Sequence, residues 1–203
     1  MFLKICGLTT EADAVHAAAA GATALGVIFA GASPRCISAD QARSIVEAVP
    51  AAVPVVGVFV NASLEEIVAT VAHTGIRIVQ LHGDEPETYA AALKMPLLRA
   101  SGVDAPVEAW PTATLLLDAV SSPARGGTGR QVDWHQAATI ARQRRTVLAG
   151  GLTPDNVAEA IARVRPFGVD VSSGVEASPG RKDRDKVARF LERARAAFVA
   201  AGL

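Results

Sequence analysis

Residues 2–30 read FLKICGLTTEADAVHAAAAGATALGVIFA. A short apolar run, Phe2–Cys6, is followed by a longer amphipathic stretch, Glu11–Ala20, and then by a second apolar run, Ala24–Phe29. Runs of these lengths read as a buried strand, a covering helix and another strand. The alternation continues along the chain. Further strands are expected at Val55–Val60, Ile78–Leu81, Leu97–Ala100, Thr114–Leu117, Val147–Ala149 and Gly168–Val171, which makes eight. Further helices are expected at Ala39–Val49, Leu64–Thr74, Pro86–Leu93, Trp134–Arg142, Pro154–Val164 and Asp183–Ala200. Ser63 offers a helix cap with Glu66 three residues on. Thr153 offers another, with Pro154 at the first helical position. The segment RASGVDAPVEAW at 99–110 is a poor helix, so the helix after strand five is expected to be short or missing.

Strands that alternate with helices form parallel β/α units. Eight units in 203 residues average about 25 residues each, compact but sufficient for a closed (β/α)8 TIM barrel. An open doubly wound sheet usually has fewer strands, and its dinucleotide-binding form wants GxGxxG after the first strand. CGLTTEAD at 6–13 does not supply it. The expectation is one α/β barrel domain spanning residues 1–203.

Composition narrows the function classes. Half the residues are hydrophobic, enough for a sizeable core. Lysine plus arginine and aspartate plus glutamate both total 20, which points to no nucleic-acid partner and no anionic membrane. No apolar run reaches the ~18 residues of a membrane-spanning helix. Lys4 and Gly7 interrupt the opening run too early for a signal peptide. Cys6 and Cys36 make no disulfide framework or CxxC pair, so a reducing cytoplasm is the simplest setting.

Active sites of such barrels lie at the C-terminal strand ends, and alternate strand residues face the interior. Phe2, Lys4 and Cys6 share one face, as do Ile78, Gln80 and His82, then Thr114, Leu116 and Asp118, then Asp170 and Ser172. Cys6, His82, Arg99, Asp118 and Ser172 are therefore expected to ring one end. Each also has a plain structural reading. Cys6 can be a small buried hydrophobe, Asp118 a turn cap, and His82 a packed histidine. Lys4 can be a Schiff-base nucleophile or an ion-paired interior lysine. Cys36 has no companion in sequence.

A second cluster is rich in glycine: GGTG at 126–129, AGGLTPDN at 149–156 and DVSSGVE at 170–176. Glycines let the backbone approach a ligand, and free N–H groups at a helix start hold phosphate. Barrels often build a phosphate site after strands seven and eight with a short extra helix, which Ser172, Ser173 and Gly174 would open.

The words KICGLT, SPR, VGVFVN, VQLHGDE, LLLDA, GGTGRQVDW, LAGGLTPDNV, DVSSGVE and PGRKD occur in this order over nearly the whole chain. In order and spacing the chain resembles the phosphoribosylanthranilate isomerase family of tryptophan biosynthesis. The resemblance implies a (β/α)8 barrel with no metal and no cofactor. It implies an Amadori rearrangement of N-(5'-phosphoribosyl)anthranilate to 1-(2-carboxyphenylamino)-1-deoxyribulose 5-phosphate. Cys6 would be the general base and Asp118 the general acid. Arg35 would meet the anthranilate carboxylate. From their place at the strand ends, not from the resemblance, His82 and Arg99 are also expected to line the substrate. Gly127, Gly150, Gly151, Ser172, Ser173 and Gly174 fall in the phosphate turns. The partner is this small phosphorylated sugar–anthranilate, and the chain is expected to be a monomer or homodimer. Cys36 stands where the family often has an aromatic residue. The related isomerase of histidine synthesis takes two phosphates and would need a second glycine-rich turn after strands three and four. VNAS and HGDE there do not resemble one. A Schiff-base lyase using Lys4 and a non-catalytic phosphate-ligand sensor are the other classes.

Overall fold

The computed structural model describes residues 1–119 and 132–203. The chain opens with β1 (Phe2–Ile5), α1 (Glu11–Ala19), β2 (Ala24–Ile28), α2 (Ala39–Ala48), β3 (Val55–Phe59) and α3 (Leu64–Thr74). It continues with β4 (Ile78–Leu81), α4 (Thr88–Leu93), β5 (Leu97–Ser101), β6 (Thr114–Leu117) and α5 (Trp134–Ala141). Then follow β7 (Thr146–Leu148), α6 (Val157–Val164), β8 (Gly168–Val171), a single 3-10 turn at Ser173–Val175, β9 (Glu176–Ser178), β10 (Arg181–Lys182) and α7 (Arg184–Ala200). Strands β1 to β8 pair in sequence order, all parallel, and β8 closes onto β1 with Phe2 opposite Gly168 and Ile5 opposite Val171. This is the expected closed (β/α)8 barrel.

The pleat sorts the side chains as anticipated. Leu3, Ile5, Leu25 and Val27 face the helices, in one cluster with Phe190 and Phe198 of α7. Ala24, Val56, Leu98, Ala100, Leu116, Val147 and Ala149 fill the barrel interior. Among the described residues three buried polar side chains break that interior: Lys4, Gln80 and Asp170. Lys4 and Asp170 lie side by side in the β1–β8 register.

Residues 102–113, between β5 and β6, form turns and no helix. Backbone carbonyls there still need donors. The Arg144 guanidinium supplies them, donating to Ala109, Trp110 and Ala113 at 2.7 Å each and also to Val107. Capping boxes start α2, at Ser38 with Gln41, and α3, at Ser63 with Glu66; such a cap contributes about 1 kcal/mol. Helix α6 begins at Val157, three residues later than its sequence suggests. Asn156 binds the Thr153 N–H through Oδ1 (2.8 Å) and the Gly151 carbonyl through Nδ2 (2.9 Å), and so holds 151–156 as a turn. The β9–β10 hairpin was not anticipated, and it brings Glu176 and Lys182 to the strand ends.

Candidate active site

Cys6 directly follows β1, and its Sγ has room beside Gly26 because Gly26 has no side chain. A Cβ on Gly26 would lie 2.7 Å from Cys6 Sγ and 3.0 Å from Lys4 Cε. Lys4 is fully buried, and its ammonium donates to Asp170 Oδ2 (3.0 Å) and to Gln80 Oε1 (2.9 Å). Burial alone would push Lys4 down, but Asp170 and the neighbouring Cys6 outweigh it and hold the ammonium charged. Burial, with Asp170 adding to it, pushes the Cys6 thiol up, opposed in part by Lys4 and, more weakly, Lys182. Proton transfer at Cys6 is therefore governed by how much of that burial Lys4 offsets.

Asp118, just after β6, approaches from the other side. Its Oδ1 accepts the Ala119 N–H at 2.8 Å, so Oδ2 is the oxygen left to hold a proton. Burial raises its pKa above the ordinary carboxylate value, against that backbone bond and Lys4. Gly150 makes room for this arrangement. At φ +72 its Cβ would stand 2.8 Å from the Ala119 nitrogen and 3.0 Å from Asp118 Oδ1. His82 Nε2 lies 3.5 Å from Asp118 Oδ2, and His82 Nδ1 lies 2.9 Å from Gln80 Nε2. Burial, with Lys4 and Arg99 adding to it, pulls the histidine down to about 4, so it is neutral at neutral pH.

Cys6, Arg35, Gln80, His82, Asp118, Asp170 and Ser172 line one pocket at the C-terminal strand ends, with Ile28, Val58 and Val60 as its apolar wall. The Arg35 guanidinium forms a two-pronged pair with Glu176, both bonds 2.7 Å. Lys182 Nζ donates to the same carboxylate at 2.9 Å and to the Ser172 carbonyl at 3.1 Å. Burial would raise Glu176, but the bonds from Arg35 and Lys182 hold it below its ordinary value. Gly7, at φ +72, admits Arg35: its Cβ would come within 2.5 Å of Arg35 Cδ and 2.9 Å of Ser172 Oγ. Among the described residues four buried side-chain polar atoms lack a protein partner, and two of them, Asp170 Oδ1 and Ser172 Oγ, belong to this site. Their residues line the pocket, where a ligand's polar groups would meet them.

The turns after β7 and β8 adjoin one another. A Cβ on Gly174 would lie 1.9 Å from the Leu152 carbonyl oxygen, so only glycine allows this contact. Gly150 and Gly151 both take positive φ, +72 and +68. The structure thus brings Gly150, Gly151, Ser172, Ser173 and Gly174 to one corner of the strand ends, while Gly127 lies outside the described residues. Among the described residues no group of three or more histidine, cysteine, aspartate and glutamate side chains is disposed to hold a metal.

Arg99 is elsewhere. Leu98 and Ala100 point into the barrel, so the residue between them points to the helices. There Arg99 donates to Glu85 Oε2 and the Gly83 carbonyl, both 2.8 Å, and stacks on Trp110 at 4.8 Å. Arg99 is thus not among the residues that line the pocket with Cys6, Arg35, His82 and Asp118, where it was expected. Cys36 is exposed and hydrogen-bonds only weakly, to the Ile37 carbonyl. Glu176 and Lys182 went unrecognised in the sequence. The charged word PGRKD was visible there, but nothing local shows that it folds back on Arg35. Gln80 was placed on an inward face without a role.

A closed eight-stranded barrel with titratable groups gathered in one pocket at its C-terminal strand ends defines a (β/α)8-barrel enzyme. Residues 3–193 match the family described as N-(5'phosphoribosyl)anthranilate (PRA) isomerase. The N-(5'-phosphoribosyl)anthranilate isomerase of Geobacter sp. (strain M21) is 46% identical over 198 residues, covering 95% of this chain and 97% of that protein. The crystal structure of phosphoribosyl anthranilate isomerase from Thermus thermophilus superposes with TM-score 0.88 at 37% identity, over 97% of this chain and 99% of that one. A phosphoribosyl anthranilate isomerase in complex with reduced 1-(o-carboxyphenylamino)-1-deoxyribulose 5-phosphate superposes with TM-score 0.84 at 36% identity, over 97% and 99% of the two chains. The chain belongs to the N-(5'-phosphoribosyl)anthranilate isomerase family. It is an intramolecular isomerase of tryptophan biosynthesis.

Proposed function

We propose that this chain opens the furanose ring of N-(5'-phosphoribosyl)anthranilate with Asp118 as general acid and Cys6 as general base. Asp118 Oδ2 gives its proton to the ring oxygen as the bond from that oxygen to the anomeric carbon breaks, which leaves an imine. Cys6 Sγ, as thiolate, takes the proton from the adjacent sugar carbon, and the resulting enolamine tautomerises to the ketone. After one turnover Asp118 is a carboxylate and Cys6 a thiol. The starting pair returns when Cys6 loses one proton and Asp118 regains one. The observation that carries this reading is that the two residues, from β1 and β6, line the same pocket. Burial keeps Asp118 protonated to higher pH than an ordinary carboxyl group; at Cys6 burial and Asp170 hold the thiol above its ordinary value, and the ammonium of Lys4 offsets part of that toward the thiolate.

The turns at Gly150–Gly151 and Ser172–Gly174 hold the phosphate, and Arg35 holds the anthranilate carboxylate while Glu176 fixes its planar fork. These remote contacts keep the sugar in place while its ring opens. The chain acts as one domain, free of metal and cofactor, in the cytoplasm, as a monomer or homodimer and without nucleic acid. Among the described residues no helix is long and apolar enough to cross a membrane.

The test is turnover of Cys6→Ser and Asp118→Asn, measured separately by the fluorescence of the anthranilate. Each variant should lose roughly 10²–10⁴-fold in kcat, the usual contribution of general acid–base catalysis. A rate near the parent's in either one rejects that residue's role.

A further inference from the structure

The polar chain that crosses the barrel interior has a direction. Lys4 can only donate, so its contact with Gln80 must be to Oε1. That fixes the amide: Gln80 Nε2 faces His82 Nδ1 at 2.9 Å. An amide nitrogen can only donate, so Nδ1 must accept, and the single proton of the neutral imidazole sits on Nε2. That N–H faces Asp118 Oδ2 across 3.5 Å.

We propose that His82 is a positioning residue for the general acid, locked by Lys4 and Gln80 as the Nε2–H tautomer so that a neutral donor, never a lone pair, faces Asp118 Oδ2. This rests on Asp118 being the acid and explains how that acid is handled. The gap from His82 Nε2 to Asp118 Oδ2, 3.5 Å, exceeds a full hydrogen bond. As the proton leaves, negative charge grows on Oδ2 and the His82 N–H closes on it. A bond stronger in the transition state than in the ground state speeds the step. An imidazolium in the same place would hold Asp118 ionised and abolish the acid. The groups that act on His82 are Lys4 from β1, Asp170 from β8, Glu85 from the loop after β4, Arg99 from β5 and Asp118 itself. On Asp118 they are the Ala119 N–H, Lys4, His82 and Asp170.

Two amide substitutions separate this role from packing. Glutamine at 82 can place its N–H₂ where Nε2 was, and asparagine places its carbonyl where Nδ1 was. His82→Asn keeps the bond with Gln80 and loses the donor to Asp118. Its kcat should fall roughly 10- to 100-fold, as for a lost hydrogen bond to a charged group, with KM little changed. His82→Gln should recover most of that loss. A purely structural histidine gives the reverse order, and equal rates in the two variants likewise overturn the proposal. Nitrogen-15 spectra of labelled histidine in the unaltered protein should show the Nε2–H tautomer from neutral pH down to about pH 5, and an Nδ1–H signal overturns the proposal without any assay. Gln80→Glu, nearly the same shape, presents a carboxylate that accepts from Nδ1–H. It should shift the tautomer or charge the ring. A tautomer shift turns the Nε2 lone pair toward Asp118 and moves the Asp118 limb of the pH–kcat profile to higher pH, whereas a charged ring moves it to lower pH. An unmoved profile with an unmoved tautomer also refutes the lock. If Asp118→Asn stays active, the acid assignment itself fails. If Asp118→Asn is inactive while the two His82 variants are alike, only the present inference fails.

Discussion

Replacing Lys4 by methionine tests whether the polar layer inside the barrel is an ion pair held together or an accident of burial. Lys4→Met keeps the length of the side chain and removes the ammonium. The bonds to Asp170 at 3.0 Å and Gln80 at 2.9 Å go with it. Asp170 is then a carboxylate only 7% exposed, with Oδ1 already lacking a protein partner. Removing one member of such a buried pair costs about 3–5 kcal/mol, because the other charge is left stranded. For a chain of this size each kcal/mol is worth about 2–4 °C, so the melting temperature should drop by roughly 6–20 °C. The loss should depend on pH. Burial already pushes Asp170 above the usual carboxylate range in spite of Lys4, and without Lys4 it rises further. A raised acid binds more protons folded than unfolded, so stability falls as pH rises from the unfolded value near 3.9 through the folded one. Lys4→Met should therefore be closer to the parent at pH 5 than at pH 8. The double variant Lys4→Met/Asp170→Leu removes the stranded charge and should regain most of the loss. Calorimetry of the three proteins at both pH values is the assay. A single variant within about 1 kcal/mol of the parent, with no gain in the double, refutes the argument.

Gly26→Ala drives a Cβ to 2.7 Å from Cys6 Sγ; urea unfolding should show a loss of about 1–3 kcal/mol from overpacking, and kcat should fall as the thiol is displaced. Arg35→Lys gives up the two-pronged pair with Glu176, so KM should rise roughly tenfold or more with little change in melting temperature, and an unchanged KM counts against the carboxylate contact. Arg99→Met removes a donor from Glu85 on the helix side of the barrel. It should cost about 1–3 kcal/mol in unfolding while kcat and KM stay within about twofold, and a large rise in KM would return Arg99 to the site.

The fold was legible because its signal is local and repeated. Each apolar run such as Leu25–Ile28 or Val55–Phe59 must be buried on both faces, and each intervening amphipathic helix supplies one cover. The pleat then carried the reading further. Counting from Phe2 placed Lys4 and Cys6 inward, and counting from Thr114 placed Asp118 there. No such count is available at Arg99, because Leu97, Leu98 and Ala100 are apolar on both sides and do not say which face is interior. Helix α6 starts at Val157 and not at Pro154 because the Asn156 side chain, not a helix cap, organises that turn.

What the sequence by itself determined is the order of elements, the closure of the barrel and the face of each strand that alternates cleanly, since these depend on neighbours a few residues away. Only the tertiary structure decided which distant charges meet. Lys4 finds Asp170 across 166 positions and Arg35 finds Glu176 across 141. Such pairs are chosen by the register of β1 against β8 and by the return of the β9–β10 hairpin, and no local pattern encodes either. The direction of the chain from Lys4 through Gln80 to His82 was hidden for the same reason. Donor and acceptor roles are set only when the partners have been brought within 3 Å of one another.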